Sequence, residues 1–314
     1  MRSKAELTAL IHAQPRAVLV VNTRSRHAVG QDRRLPGGLG DAGVRLLATL
    51  PVGVTGDLAS TLRKALLLEP DLLVVAGGDG TMGTAAGLPA HRDTALGVIP
   101  LGTMNNFARS LGVPLDVPAA VRTVAAGKVA DVDLGRVDHA GGAEVFATLT
   151  SVGVSVEVAR RTPHRLKRLI GPAAYAATAL AVLPAHAPFQ ATVRTGDGRS
   201  ESFFTHQLNV ANGRFHAGRV IAADASIDDH QLVAYRLGGR GRAGLSVATL
   251  AHVVRGASRR LAGTAFLVTS QVHIVTDPVL AVEVDGEVRA RTPITVSTEA
   301  EALRVMVPPG FADT

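Results

Sequence analysis

Leu72-Leu73-Val74-Val75-Ala76-Gly77-Gly78-Asp79-Gly80-Thr81 decides how the N-terminal part of the chain is read. An unbroken apolar run of this length marks a strand buried on both faces. The glycine-rich tail marks a tight loop, and the helical pattern after it completes a strand–loop–helix unit. The same plan appears on either side. Ala17-Val18-Leu19-Val20-Val21 ends at Asn22, and Ala95-Leu96-Gly97-Val98-Ile99 runs into Pro100-Leu101-Gly102-Thr103 and a helix closed by Gly112. Asp57 caps a helix with Leu58, Leu62, Ala65 and Leu66 on one face, stopped by Pro70. Asp116 with Pro118 opens another, closed by Gly127. Such units in series predict a doubly wound α/β domain over residues 1–130, with a parallel sheet covered on both faces. Ligands of such sheets sit at the carboxyl ends of the strands, where these loops fall.

After Ala130 the texture changes. Strands are expected over residues 129–137, 145–152, 190–195, 202–210, 231–237, 265–275, 279–284 and 303–307, with turns such as Thr195-Gly196-Asp197-Gly198 between them. Helical patterns interrupt them over 154–183 and 243–261. The expectation is a second domain over residues 131–295, an antiparallel β-rich sandwich, with a last strand at 296–308 completing the first domain.

Composition narrows the chemistry. Of 314 residues 46% are hydrophobic and 19% charged, so a core is available and wholesale disorder is excluded. There is no cysteine, which removes disulfides, thiolate nucleophiles and iron–sulfur ligation. The net charge is +7, yet with 8 Phe, 2 Tyr and no Trp there are few platforms for stacking bases, so a nucleic-acid partner is not expected. Glu6, His12, Gln14 and Pro15 break any secretory signal in the first fifteen residues. The most apolar stretch, 172–185, is shorter than the roughly 20 residues a spanning helix needs. The expectation is a soluble, cytoplasmic protein. Arg160, Arg161, Arg165, Lys167 and Arg168 precede that stretch and read either as a solvated basic helix beside a core helix or as a patch for peripheral docking on an anionic membrane face.

Two segments carry the spacing G-x-G-x-x-G. Gly38, Gly40 and Gly43 follow no strand and are expected to be a loop. Gly78, Gly80 and Gly83 sit between a strand and a helix, but the acidic residue that should follow about 20 positions later is absent, which argues against a dinucleotide-binding oxidoreductase. The Gly77–Thr81 loop instead suits phosphate: glycines let backbone N–H groups approach phosphoryl oxygens, and the helix adds its positive end. Asp79 beside phosphates calls for magnesium or a hydroxyl proton between them. At Pro100–Arg109 a second small-residue loop follows the neighbouring strand, where Thr103 is placed to cap the helix or bond a nucleotide. Glu283-Val284-Asp285-Gly286-Glu287 sets carboxylates on a turn after a strand. It reads either as a general base or as an ordinary Asp-Gly hairpin. Asp224-Ala225-Ser226-Ile227-Asp228-Asp229 reads as a cation site or a solvated turn.

Taken in order, Val75–Thr81, Pro100–Arg109, Asn212–Asp229 and Val284–Glu287 resemble the diacylglycerol kinase catalytic-domain family, which includes bacterial lipid kinases and sphingosine and ceramide kinases. The resemblance covers roughly residues 16–307 and rests on G-G-D-G-T, P-x-G-T-x-N, N-G and D-G-E elements. It implies an NAD kinase-like nucleotide domain and an ATP-dependent lipid kinase. Asn22, Thr55, Gly77, Gly78, Asp79, Gly80, Thr81, Met82, Gly102, Thr103 and Asn105 would hold ATP. Asp79 would serve phosphate or magnesium chemistry. Ser226, Asp229 and Gln231 would form a Mg2+ site, and Asp285 or Glu287 would take the proton from the lipid hydroxyl. The implied partners are ATP and a membrane lipid, with a homodimer as one candidate assembly.

Three departures from the family pattern stand out. The first loop reads Asn22-Thr23-Arg24-Ser25-Arg26 where N-P-x-S-G is usual, Asn106 replaces an Asp, and Asp228-Asp229-His230-Gln231 lacks the glycine of D-D-G-L. They motivate a rival reading as a catalytically weak, membrane-associated nucleotide-binding protein. The shared G-G-D-G-T loop also admits an NAD kinase-like enzyme.

Overall fold

The computed structural model describes residues 2–25, 27–53, 55–161, 178, 182, 186–216, 218–222, 224–239 and 267–313. The chain divides into two compact units. The first comprises Met1–Leu134, Ile227–Asp229 and Ala300–Thr314, and the second Gly135–Ser226 and His230–Glu299.

The first unit contains α1 (Lys4–Ala13), β1 (Ala17–Asn22), α2 (Gln31–Asp41), β2 (Leu46–Val52), α3 (Leu58–Leu66), β3 (Leu72–Gly77), α4 (Asp79–Gly87), β4 (Ala95–Pro100), α5 (Asn106–Ser110), α6 (Val117–Ala126) and the start of β5 (Lys128–His139). Its strands run parallel in the order β2-β1-β3-β4, and the end of the chain adds a further parallel strand beside β4, with Val305 opposite Leu96. Every residue of β1, β3 and β4 is buried, which is why these three read as continuous apolar runs. Asp57 caps α3 through the amides of Ala59 and Ser60, and Leu58, Leu62, Ala65 and Leu66 form its buried face. Fully burying one such leucine contributes about 1.5–3 kcal/mol.

Two features differ from expectation. Residues 31–41 are a helix, although Pro36, Gly37, Gly38 and Gly40 all lie in it. Leu35 and Leu39, one turn apart, are buried, and that packing outweighs poor intrinsic propensity. The second is β2, whose mixed burial hides it in the sequence; as an edge strand it tolerates Pro51.

The second unit takes the end of β5, then β6 (Gly142–Phe146), β7 (Leu149–Gly153), α7 (Val154–Arg161), β8 (Phe189–Thr195), β9 (Ser200–Thr205), β10 (Gln207–Asn212), β11 (Phe215–His216), β12 (Arg219–Val220), β13 (Leu232–Leu237), β14 (Leu267–Thr269), β15 (Gln271–Asp277), β16 (Ala281–Val284), β17 (Glu287–Arg291) and the first part of β18 (Ile294–Val307). One antiparallel sheet runs β14-β13-β10-β7-β16-β17; the other pairs β18 with β15, β15 with β8, and β8 with β9. Val152, Leu208, Val210, Val282 and Val284 of the first meet Phe189, Ala191, Val272, Ile274 and Val296 of the second in one core. Three expected single strands are each two. The chain breaks at Ala147–Thr148, at His206 and at Ser270, and passes from one pairing to another each time. The expected helical segments over 162–177 and 243–261, and the basic residues Arg165, Lys167 and Arg168, lie outside the described residues.

At the break between β9 and β10, His206 is fully buried and its Nδ1 lies 3.1 Å from Nδ1 of His186. One ring must donate and the other accept. Burial pushes the His186 imidazole below its ordinary 6.5, opposed by Glu157 at 3.9 Å. The stability this pair contributes is therefore complete above the unfolded value near 6.5 and is lost as pH falls through the lowered folded value. Thermal melts between pH 7.5 and 5 should show a declining Tm, and His186→Gln should flatten that decline. An unchanged slope in the variant would assign it to other groups.

Candidate active site

Because β1 to β4 are parallel, their carboxyl ends share one edge, and the loops there place Asn22, Thr55, Gly77–Met82 and Gly102–Asn105 together in the first unit. Two loops make the closest approach. A Cβ on Gly102 would stand 2.5 Å from Cα of Gly78, and one on Gly78 would stand 3.0 Å from Cα of Gly102. Any side chain at either position would force the loops apart, so glycine is required by contact and not by dihedral angle. Asn105 closes the second loop: its Oδ1 accepts the Gly102 amide at 2.9 Å and its Nδ2 donates to the Gly102 carbonyl at 3.1 Å.

Of the two roles open to Thr103, the helix cap falls to Asn105 instead. Gly78 precedes α4, so Asp79 is its first residue, and half-buried Asp79 reaches across to accept the Phe107 amide at the start of α5 (3.2 Å). Asn105, with φ of 51°, is the N-cap of α5, and exposed Thr103 is not. Asp79 thus stitches both loops together while its carboxylate stays beside the α4 N-terminus, where negative charge is favoured. Asn22 Nδ2 donates to Thr81 Oγ1 at 2.9 Å, tying β1 to α4, and both side chains are buried. Thr55 is exposed after β2, and Met82 is buried in α4. His27, which carried no motif in the sequence, fastens the first loop over the second: its amide donates to the Leu101 carbonyl, and its Nδ1 lies 3.2 Å from the Gly102 carbonyl oxygen.

Ser226 and Gln231 fall in the second unit and Asp229 in the first. Asp228, not Asp229, is the buried acid of this segment. His230 takes φ of 59°, the left-handed conformation that the missing glycine would adopt without cost. Among the described residues, no three His, Asp or Glu side chains converge in a metal-holding cluster. A magnesium ion carried on nucleotide phosphates needs only one or two protein carboxylates, and Asp79 would be one such carboxylate at the glycine-rich loop. Sequence reasoning also missed Asp133, which is fully buried in β5: its carboxylate accepts the Glu301 amide at 2.9 Å, and its own amide donates to Ile227.

In the second unit, Asp285 and Gly286 have φ of 45° and 90° and form the two-residue turn joining β16 to β17. The Asp285 carboxylate does more than shape that turn. Oδ2 accepts the Ala147 amide at 2.7 Å, and Oδ1 accepts the amides of Thr148 (3.0 Å) and Leu149 (3.1 Å) and the Thr148 hydroxyl (2.5 Å). These are the donors freed where β6 gives way to β7. Burial raises the Asp285 pKa above the ordinary aspartate value, and the Thr148 and backbone hydrogen bonds pull against that rise. Glu287 is exposed and paired with Arg289 at 2.7 Å. Glu283 stands opposite Ser151 on β7, whose Oγ lies 3.4 Å from its Oε2.

Fold and loops together define a two-domain α/β protein with a phosphate-type loop at the edge of a parallel sheet and an antiparallel sandwich after it. Residues 16–137 match the diacylglycerol kinase catalytic domain, and residues 148–307 match the YegS C-terminal NAD kinase beta sandwich-like domain. The chain belongs to the diacylglycerol kinase catalytic-domain family, in the branch that carries this sandwich. A Staphylococcus epidermidis protein named "Diacylglycerol kinase" is 36% identical over 131 residues, 41% of this chain and 40% of that relative's length. A Yersinia enterocolitica protein named "Probable lipid kinase YegS-like" is 30% identical over 224 residues, covering 68% of this chain and 72% of the relative. A crystal structure titled as a diacylglycerol kinase from Bacillus anthracis superposes with a TM-score of 0.73 at 22% identity, over 94% of this chain and 97% of that one, and speaks to the fold. Among the described residues, no helix is long and apolar enough to cross a membrane.

Proposed function

We propose that this protein transfers the γ-phosphoryl group of ATP to a hydroxyl of a membrane lipid such as diacylglycerol. The observation that carries the reading is the backbone-to-backbone contact of Gly78 and Gly102, with Asp79 bridging the two loops at the start of α4. Amides of Gly78–Thr81 and the α4 N-terminus would bind phosphate oxygens, and the Gly102–Asn105 loop would flank the nucleotide. Magnesium, held by Asp79 together with the phosphates, would neutralise charge on them. The lipid oxygen would form the new P–O bond as the bond to ADP breaks, with the hydroxyl proton going to a carboxylate. Asp285 is occupied by its four donors, so Glu287 is the better-exposed candidate of the two, and Asp285 holds the turn that carries it. The remaining work is positioning and electrostatics, because a loose phosphoryl transfer leaves little covalent chemistry to the protein. A lipid acceptor also implies docking on a membrane surface from the cytoplasmic side.

The test is radiolabelled ATP with vesicles or micelles of diacylglycerol, a sphingoid base, ceramide and phosphatidylglycerol, and with NAD as a soluble alternative. Label in an organic-phase product supports the reading. Label in NADP, or ATP turnover indifferent to every lipid, overturns it.

A further inference from the structure

The sandwich carries a polar row that the mechanism above leaves unused. On the sheet β13-β10-β7-β16, Glu283 is paired with Ser151, Ser151 with Asn209, and Asn209 with Tyr235. Their neighbours Val282, Val284, Val152, Leu208, Val210 and Ala234 point into the apolar core, so alternation turns the four polar residues to the opposite face. Ser151, Asn209 and Tyr235 are buried there, at 2%, 1% and 8% exposure, whereas Glu283 is half-buried and forms the open end. That end lies two residues from Asp285, about 7 Å along the strand.

The hydrogen bonds of the row fix which way its amide faces. Gln207 Oε1 accepts the Ser155 amide at 2.8 Å, so its Nε2 donates to Ser155 Oγ (2.7 Å) and to Asn209 Oδ1 (2.8 Å). Asn209 is therefore held with Oδ1 towards Gln207 and Nδ2 turned away. Among the described residues, that buried Nδ2 has no hydrogen-bond partner. A buried donor left unmade is costly, and a side chain locked in that state by its neighbours suits an oxygen atom supplied from outside.

Resting on the lipid kinase reading, we propose that this row recognises the acceptor lipid, with Asn209 Nδ2 donating to the acyl carbonyl oxygen beside the reactive hydroxyl and Glu283 at the entrance. The chemical class selected is an acylated lipid alcohol, in preference to an ether-linked or acyl-free one. No covalent step is added, because Asn209 acts as a specificity-determining residue.

The experiment compares kcat/KM for diacylglycerol and for its dialkyl ether analogue, which lacks both carbonyls, in mixed micelles with the full chain. Wild type should favour the ester by at least about 10-fold, because a site built to bond a group discriminates against substrates without it. Asn209→Leu should bring the ratio close to one by lowering ester turnover, with KM for ATP unchanged. Asn209→Ala, which adds no bulk, reads the same ratio should the leucine variant melt early. A wild-type ratio near one, or a variant that keeps the wild-type ratio, overturns the assignment of Asn209 and leaves the kinase reading intact. Absence of transfer to both lipids and to the rest of the panel overturns the kinase reading, and this inference with it.

Discussion

Asp79→Ala is expected to lower phosphoryl transfer by about 10²–10³-fold or more, the loss typical of removing one preorganised electrostatic group from a transition state. The fold should survive. Asp79 is half-buried at the start of α4, and the cap it places on the Phe107 amide is worth about 1 kcal/mol. Asp79→Asn separates the two duties, because the amide oxygen still accepts from Phe107 while the charge is gone. The asparagine variant should melt like wild type and remain as inactive as the alanine variant. If either retained more than a tenth of wild-type turnover, Asp79 would be a stitch between two loops and nothing more.

A second large effect is expected at the acidic turn, where two neighbouring carboxylates should fail in different ways. Asp285→Ala strands three backbone amides and the Thr148 hydroxyl at the β6–β7 break. A hydrogen bond to a charged group contributes about 1.5–3 kcal/mol, so the loss should be at least about 3 kcal/mol. For a unit of this size that corresponds to a fall in Tm of roughly 6–12 °C. Glu287→Gln removes an exposed ion pair with Arg289, worth at most about 1 kcal/mol, and should leave Tm unchanged. If Glu287 takes the proton, the same variant should lower kcat by about 10²-fold with little change in nucleotide affinity. Calorimetry on both variants beside steady-state kinetics separates the roles. An unchanged Tm for Asp285→Ala would reduce the turn to an ordinary Asp-Gly hairpin.

Much of this was legible because burial on both faces writes itself as unbroken apolar runs. β1, β3 and β4 could be read residue by residue, and the loops after them inherit their place from parallel topology. β2 escaped because an edge strand with Pro51 and mixed burial lacks that signature. Residues 31–41 escaped because their glycines and proline speak against a helix, and only the packing of Leu35 and Leu39 speaks for it. The sandwich was legible as strands but not as sheets. Alternation continues through Thr148, His206 and Ser270, and nothing local signals that the chain changes partners there. The role of Asp285 was hidden for the same reason, since its four donors lie more than 130 residues away. Asn209 is a further case: a polar residue between Leu208 and Val210 announces nothing until its neighbours across the sheet prove to be Ser151 and Tyr235.

The most direct test of the central claim is transfer of label from γ-labelled ATP by wild-type protein and by Asp79→Asn in parallel, with and without the lipid panel. A phosphorylated lipid formed by wild type, dependent on added lipid and absent with the variant, is the predicted result. Label that stays in the aqueous phase whatever lipid is supplied, or lipid phosphorylation that persists in Asp79→Asn, would contradict it.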